Sequence, residues 1–262
     1  MVAVALVAAA AWGLFESQWV ERRRVNVRLP GLPPAADGLR VLHLSDLHLG
    51  TVSFSERAVR KAVAWAEAEP PDFVAVTGDL VTRARGLGAL EDVLARLAAV
   101  APVVCILGNH DVDDSRDPFR HPPDFSGVDL PILRDEERMV GSVHVVGVDP
   151  SAYRAGTSKP AERADPGADV RILLCHYPEV VRRLPPGVFE LVLAGHYHGG
   201  QLCLPSPWGK LRLKDFRAPY WKGLHETAAG WLHVSRGLGT SFVPFRFLAR
   251  PEATMLTLRA AD

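Results

Sequence analysis

The eleven residues RVLHLSDLHLG, Arg40 to Gly50, decide the reading of this chain. Arg40 to Leu44 is a short, mostly aliphatic run and reads as a buried strand. Ser45, Asp46 and His48 follow at once, and Gly50 closes the turn. A carboxylate and an imidazole just beyond a buried strand stand where open α/β sheets build their sites.

Working outward, the chain alternates between helix and strand. Ser55 is placed to cap a helix running to about Glu69, with Ala58, Ala62, Trp65 and Ala66 on one face. Pro70-Pro71 stops it, and Asp72 to Thr77 (DFVAVT) is a second strand. Leu87 to Ala99 reads as a helix and Pro102 to Leu107 (PVVCIL) as a third strand. This βαβαβ rhythm predicts parallel strands joined by crossover helices. Residues 112–127 read as a loop, and 138–148 as a strand pair. Val170 to Cys175 reads as a strand, Pro178 to Leu184 as a short helix and Glu190 to Ala194 as a further strand. Beyond Gly199 only short strands and turns are expected. The whole is an α/β domain with a β-rich C-terminal half.

Each of five strands delivers polar residues at its end. The groups are Asp46 with His48, Gly78-Asp79, Gly108-Asn109-His110-Asp111, His176, and Gly195-His196-Tyr197-His198-Gly199-Gly200. Taken singly, each has a bland explanation as a turn or a capped helix. Packing alone does not place all five, in order, at strand ends. Together they point to a metal site.

These five blocks resemble the signature of the calcineurin-like metallophosphoesterases, and the likeness spans roughly residues 39–258. The resemblance implies a four-layer αββα sandwich of two mixed β-sheets flanked by helices. It implies two divalent metal ions, with Mn favoured. Asp46, His48, Asp79 and His198 would hold the first, and Asp79, Asn109, His176 and His196 the second. Asp79 would bridge them, and a hydroxide shared by both metals would attack phosphorus. His110 would stand near the leaving-group oxygen and donate a proton or stabilise charge there, with Asp111 orienting its ring. Position 197 is Tyr where the family often has Thr, and it is expected to face away from the ligands on an extended backbone.

Composition sets the outer bounds. The 262 residues carry 30 Lys+Arg and 30 Asp+Glu, a formal net charge of zero. That excludes the basic footprint of a bulk nucleic-acid binder. The 48% hydrophobic content excludes a disordered chain. Three cysteines form no disulfide framework and favour a reducing compartment. Cys175 beside His176 tempts a thiol-nucleophile reading, but it ends an apolar strand and should point away. His43 is expected in the core, and His121, His144, His225 and His233 carry no ligand pattern. Of these, His225 and His233 are the two that a substrate cleft would recruit.

The first fifteen residues, MVAVALVAAAAWGLF, carry no charge. As a helix they span about 22 Å, short of the roughly 30 Å hydrocarbon core. Residues 1–24 are read as a membrane anchor or interfacial helix, with a soluble helix docked on the domain and a cleaved export signal as the alternatives, residues 25–38 as a Pro/Gly linker and residues 39–260 as the catalytic domain. Arg22-Arg23-Arg24 would keep the domain on the cytoplasmic side. Aromatic residues crowd the C-terminal region (Trp208, Phe216, Tyr220, Trp221, Trp231, Phe242, Phe245 and Phe247). Lys210, Arg212, Lys214, Arg217 and Lys222 lie among the first four. This reads either as sheet core with solvated charge or as a rim facing a lipid headgroup.

Within the superfamily the chain is most similar to small bacterial membrane-associated members. They share the SDLHLG start, the Gly195–Gln201 run and the ending around Gly237–Ser241, Arg246 and Arg250-Pro251-Glu252. The expected activity is that of a monomeric phosphodiesterase or pyrophosphatase. Its substrate is a phosphate ester, small or lipid-linked, such as UDP-2,3-diacylglucosamine. The competing readings are a protein or nucleotide phosphatase and a non-catalytic scaffold.

Overall fold

A computed structural model describes residues 1–112, 123–127, 132–207, 209–213 and 217–261. The opening stretch forms strand β2 (Arg40–Leu44), and its neighbours in sequence become its neighbours in space. Helix α2 (Ser55–Ala68) leads to β3 (Phe73–Thr77), and helix α3 (Leu87–Ala98) to β4 (Val103–Ile106). β2, β3 and β4 pair in parallel, as the βαβαβ rhythm requires. The long C-terminal strand β13 (Glu252–Ala260) lies antiparallel against β2.

A second sheet follows. Its strands are β5 (Glu136–Val140), β6 (Val143–Gly147), β7 (Val170–Leu174), β8 (Leu191–Ala194), β11 (Gly223–Thr227) and β12 (Gly230–Val234). They lie in the order β11-β12-β8-β7-β6-β5, with parallel pairing in the centre and antiparallel hairpins at both edges. A separate hairpin joins β9 (Cys203–Ser206) and β10 (Gly209–Arg212).

Alternation along the strands builds the layers. Val41, Phe73, Ala75, Val104 and Ile106 of the first sheet face Val143, Val145, Ile172, Leu191 and Leu193 of the second, and all are buried. Leu42, Leu44, Val74 and Val76 point the other way, onto Val59, Ala62, Trp65, Leu90 and Leu94 of α2 and α3. On the far side of the second sheet, Leu173, Val192 and Leu232 pack under Tyr153, Tyr177 and Val180. Those residues belong to helix α4 (Pro150–Ala155) and to the 3-10 turn Pro178–Arg182 with its approach. The result is two mixed sheets face to face with helical segments outside both.

Two expectations need correction. Ser55 does not cap α2; Phe54 holds the N-cap position, and the Ser55 hydroxyl bonds Ser53 instead. The residues expected as linker do not begin at 25. Helix α1 (Val2–Glu16) is followed by strand β1 (Glu21–Leu29), which pairs in parallel with β13 over its whole length. Val27 and Leu29 turn into the inter-sheet core while Arg28 faces solvent. The alternation Val25, Val27, Leu29 against Arg24, Asn26, Arg28 is the signal that marks this strand. Arginines on the outer face suit an edge strand, which must resist pairing with other chains.

Because Val27 is fully buried, Val27→Asp should lower stability by roughly 3 kcal/mol. Urea unfolding measures it; a midpoint equal to wild type is what a detached linker would give.

Candidate metal centre

Every candidate ligand lies just past the C-terminal end of a parallel strand. Asp46 and His48 follow β2, Asp79 follows β3, and Asn109, His110 and Asp111 follow β4. His176 follows β7, and His196 and His198 follow β8. The centre therefore straddles both sheets. Asp46, His48, Asp79, His196 and His198 all hold φ between 46° and 76°. They are five of the nine non-glycine residues with positive φ among the described residues. Each such conformation costs about 1–3 kcal/mol and persists only where its surroundings hold it. Two glycines admit this crowding. A methyl group on Gly108 would collide with Asp79, and one on Gly195 with Ser45 and Asp46.

The first donor set is Asp46, His48, Asp79 and His198, all buried, with ligand atoms within 4.8 Å of one another. His48 Nε2 lies 3.2 Å from His198 Nε2, and His198 Nε2 lies 3.2 Å from Asp46 Oδ1. A second set meets it at Asp79. His176 Nε2 lies 3.2 Å from Asn109 Oδ1, 3.3 Å from His196 Nδ1 and 3.4 Å from Asp79 Oδ2. The same Asp79 Oδ2 is 3.4 Å from His48 Nε2, so one carboxylate oxygen stands between the two groups. All seven predicted ligands are thus brought together.

Outer partners fix the rings. His48 Nδ1 bonds the Thr82 hydroxyl at 2.7 Å, and His176 Nδ1 donates to the Thr77 carbonyl at 2.8 Å. Each leaves Nε2 aimed inward, the usual arrangement for a metal-binding imidazole. The sequence alone missed Thr82 and the Thr77 carbonyl, because neither sits in a motif block.

Electrostatics fit the same purpose. Burial opposes ionisation of Asp79 and Asp46, yet neighbouring imidazoles hold both carboxyls well below the usual range. Burial lowers His176, but Asp79 and Asp46 outweigh it and raise it to about 9. Burial and the His176 charge push His196 down to about 3. Carboxylates that stay ionised inside a protein demand a cation. Carboxylate oxygens, imidazole nitrogens and an amide oxygen are the donor set of a borderline divalent metal.

His110 lies at the edge of this cluster. Its backbone N–H donates to Asp79 Oδ1 at 2.8 Å, and its ring sits 5.0 Å from that of His48 and 5.8 Å from the exposed Phe242. Asp111 has partners of its own in the backbone. Its carboxylate accepts from the backbone N–H of Leu80, Val81 and Gly108 at 2.8–2.9 Å. Both oxygens are turned to these amides, so Asp111 braces the Asp79 loop. Burial and the nearby Asp79 raise it to about 7.

The remaining candidates sort themselves. Tyr197 does turn from the ligands, but through a turn (φ −90°, ψ −4°) rather than an extended backbone, and its hydroxyl donates to Glu179. His43 and His233 are buried in β2 and β12 and share a contact of 2.8 Å between their Nδ1 atoms, so His233 lines no cleft. His144 is buried in β6. His225 bonds the Lys222 carbonyl. Cys105, Cys175 and Cys203 are buried free thiols. Burial raises Cys105 and Cys175 to about 12, which removes the thiolate reading. His121, Trp208, Lys214 and Phe216 lie outside the described residues. The Arg212 and Lys222 charges both rest on the Trp221 ring.

The fold and this buried Asp/His cluster define a metal-dependent hydrolase of phosphoric esters. The calcineurin-like phosphoesterase family matches residues 39–200, and the chain belongs to that family. It is 30% identical over 263 residues to an uncharacterized metallophosphoesterase of Aquifex aeolicus, with 95% of each chain covered. It is 29% identical to the uncharacterized metallophosphoesterase YkoQ of Bacillus subtilis, covering 84% of each. It is 28% identical to the phosphodiesterase YaeI of Escherichia coli, covering 93% of this chain and 90% of that one.

His110→Ala should cut turnover by about 10²–10⁴-fold with bound metal unchanged, read by steady-state rates and metal analysis side by side. Asp111→Asn should instead lower stability by about 2 kcal/mol, since it sets an amide N–H against backbone donors. Its melting temperature should fall while that of His110→Ala stays near wild type.

Proposed function

We propose that the protein is a two-metal phosphodiesterase or pyrophosphatase acting on a small or lipid-linked phosphate ester at a membrane surface. One observation carries the two-metal reading: Asp79 Oδ2 lies equally close to His48 Nε2 and His176 Nε2. Asp46, His48, Asp79 and His198 would hold one ion, and Asp79, Asn109, His176 and His196 the other. When bound, such ions polarise phosphoryl oxygens and lower the pKa of water. Mn is the favoured ion among Mn, Fe, Zn and Co.

The chain's own residues supply the rest. His110, beside His48 at the edge of the cluster, protonates the departing oxygen. Asn109 adds an oxygen donor without adding negative charge, which leaves the loaded centre net positive for a phosphate. The likeness to a protein called a phosphodiesterase supports a diester over a monoester.

The membrane part rests on α1. No helix among the described residues is long and apolar enough to cross a membrane. Val2, Val4, Leu6, Val7, Trp12 and Phe15 are nevertheless exposed, and the rings of Trp12, Phe15 and Trp19 cluster in tilted and edge-on contacts at 5.6–6.4 Å. An apolar helix with an aromatic cluster at its foot suits the headgroup boundary of a bilayer. The domain would then sit on the cytoplasmic face.

Purified enzyme with Mn should hydrolyse bis-p-nitrophenyl phosphate and a UDP-linked lipid faster than a phosphopeptide. Asp79→Asn should abolish that turnover. Turnover on the phosphopeptide alone would favour the protein-phosphatase reading, and no metal-dependent turnover at all the scaffold. Cell fractionation of the full chain should find it with membranes, and Leu6→Asp should release it.

A further inference from the structure

The loop between β12 and β13 contains one fully buried arginine, Arg246. Its guanidinium donates to backbone carbonyls and to no carboxylate. Nη1 reaches His198 O at 3.2 Å and Ala249 O at 2.9 Å, Nη2 reaches Arg236 O at 2.9 Å, and Nε reaches Gly239 O at 3.0 Å. The His198 contact matters most. His198 holds φ at +51°, a conformation its own covalent geometry disfavours. A buried cation on its carbonyl helps hold it there. The Arg246 separation from His198 Nδ1, 3.5 Å, is too long for an effective hydrogen bond, so the grip is on the backbone. Through the Gly239 carbonyl the same guanidinium also steadies the other wall of the centre, because Gly239 N–H donates to Asp46 O at 2.6 Å.

The opposite side of this loop is held by α1. Arg246 N–H donates to Gly13 O at 3.1 Å. The buried carboxylate of Glu16 accepts from Leu248 N at 3.0 Å and Ala249 N at 2.6 Å. Ala249 is thus held by Glu16 at its N–H and by Arg246 at its carbonyl. A continuous chain of contacts runs Glu16–Ala249–Arg246–His198.

We infer that Arg246 is a positioning residue of the metal centre, through which docking of α1 sets the geometry of the ligand His198. The inference rests on the reading of the Asp/His cluster as a metal site. It adds that the site is complete only with the N-terminal helix in place. A surface that engages the exposed half of α1 would therefore be felt at the centre.

Cobalt is a suitable probe of the full chain, because its visible spectrum reports ligand geometry and titration reports affinity. Gly13→Leu, whose side chain must enter the 3.1 Å approach to Phe245, should weaken cobalt binding and change the spectrum. Glu16→Gln and Arg246→Lys should do likewise, each by roughly tenfold or more in affinity. Leu6→Ser, on the exposed part of the helix, should match wild type, and circular dichroism should show all four folded. Wild-type affinity and spectrum in both Gly13→Leu and Glu16→Gln would overturn the link. A wild-type protein that binds no cobalt would instead overturn the metal-site reading beneath it.

Discussion

The Asp79 carboxylate must stay ionised inside the protein, and much of the architecture answers to that need. It is 1% exposed and stands where the ends of β2, β3, β4, β7 and β8 meet. Only two sheets packed face to face bring donors from five strands to one point, and that packing requires the apolar inner faces seen between them. The loop carrying Asp79 is pinned from behind by Asp111, which collects the Leu80 and Val81 amides. In front, the His110 N–H neutralises part of the charge. Gly108 is small because any side chain would occupy the space of Asp79 itself. The strain in the left-handed ligands is offset by this frame, so the centre is preorganised before any ion or substrate arrives.

A metal site was legible because the residue types in its blocks are costly to bury, while the division into two ligand sets came from the family resemblance. Asp, His and Asn right after aliphatic runs have few structural excuses, and five such sites in order have almost none. The parallel core was legible for a similar reason: β2, β3 and β4 read as continuous aliphatic runs separated by amphipathic helices. What escaped was the long-range work. Thr82, the Thr77 carbonyl and Arg246 act through distances that no local pattern encodes. Asp111 was read from its neighbour in sequence, His110, whereas its partners come mainly from residues thirty positions earlier. Strand β1 escaped because three consecutive arginines outweighed a short alternation, although the alternation carried the structure.

Those arginines deserve a different account. Arg22, Arg23 and Arg24 read as a topology signal beside an anchor. In the fold, Arg24 pairs with Glu69 of the α2 C-terminus, and Arg23 reaches the buried Glu252 at 3.5 Å. Glu252 also takes Arg236 and the Thr254 hydroxyl, and lies 3.6 Å from His233, which in turn meets His43. His43 Nε2 bonds the Thr77 hydroxyl at 2.8 Å, next to the carbonyl that orients His176. A row of polar groups thus crosses the apolar interior from β1 toward the metal centre, hydrogen-bonded at the Arg236–Glu252, Thr254–Glu252 and His43–Thr77 steps but not at His233 Nε2. Buried charge of this kind is destabilising unless every member is paired, and hydrophobic replacement often does better for stability alone. The register itself comes from the backbone, where β1 pairs with β13 from Glu21–Glu252 to Leu29–Ala260. The N-terminal segment is therefore keyed to the domain twice, by Glu16 at the β12–β13 loop and by the β1–β13 ladder. An element fixed at both points turns with the catalytic domain as one body. Any surface that holds α1 also sets the direction in which the metal centre faces.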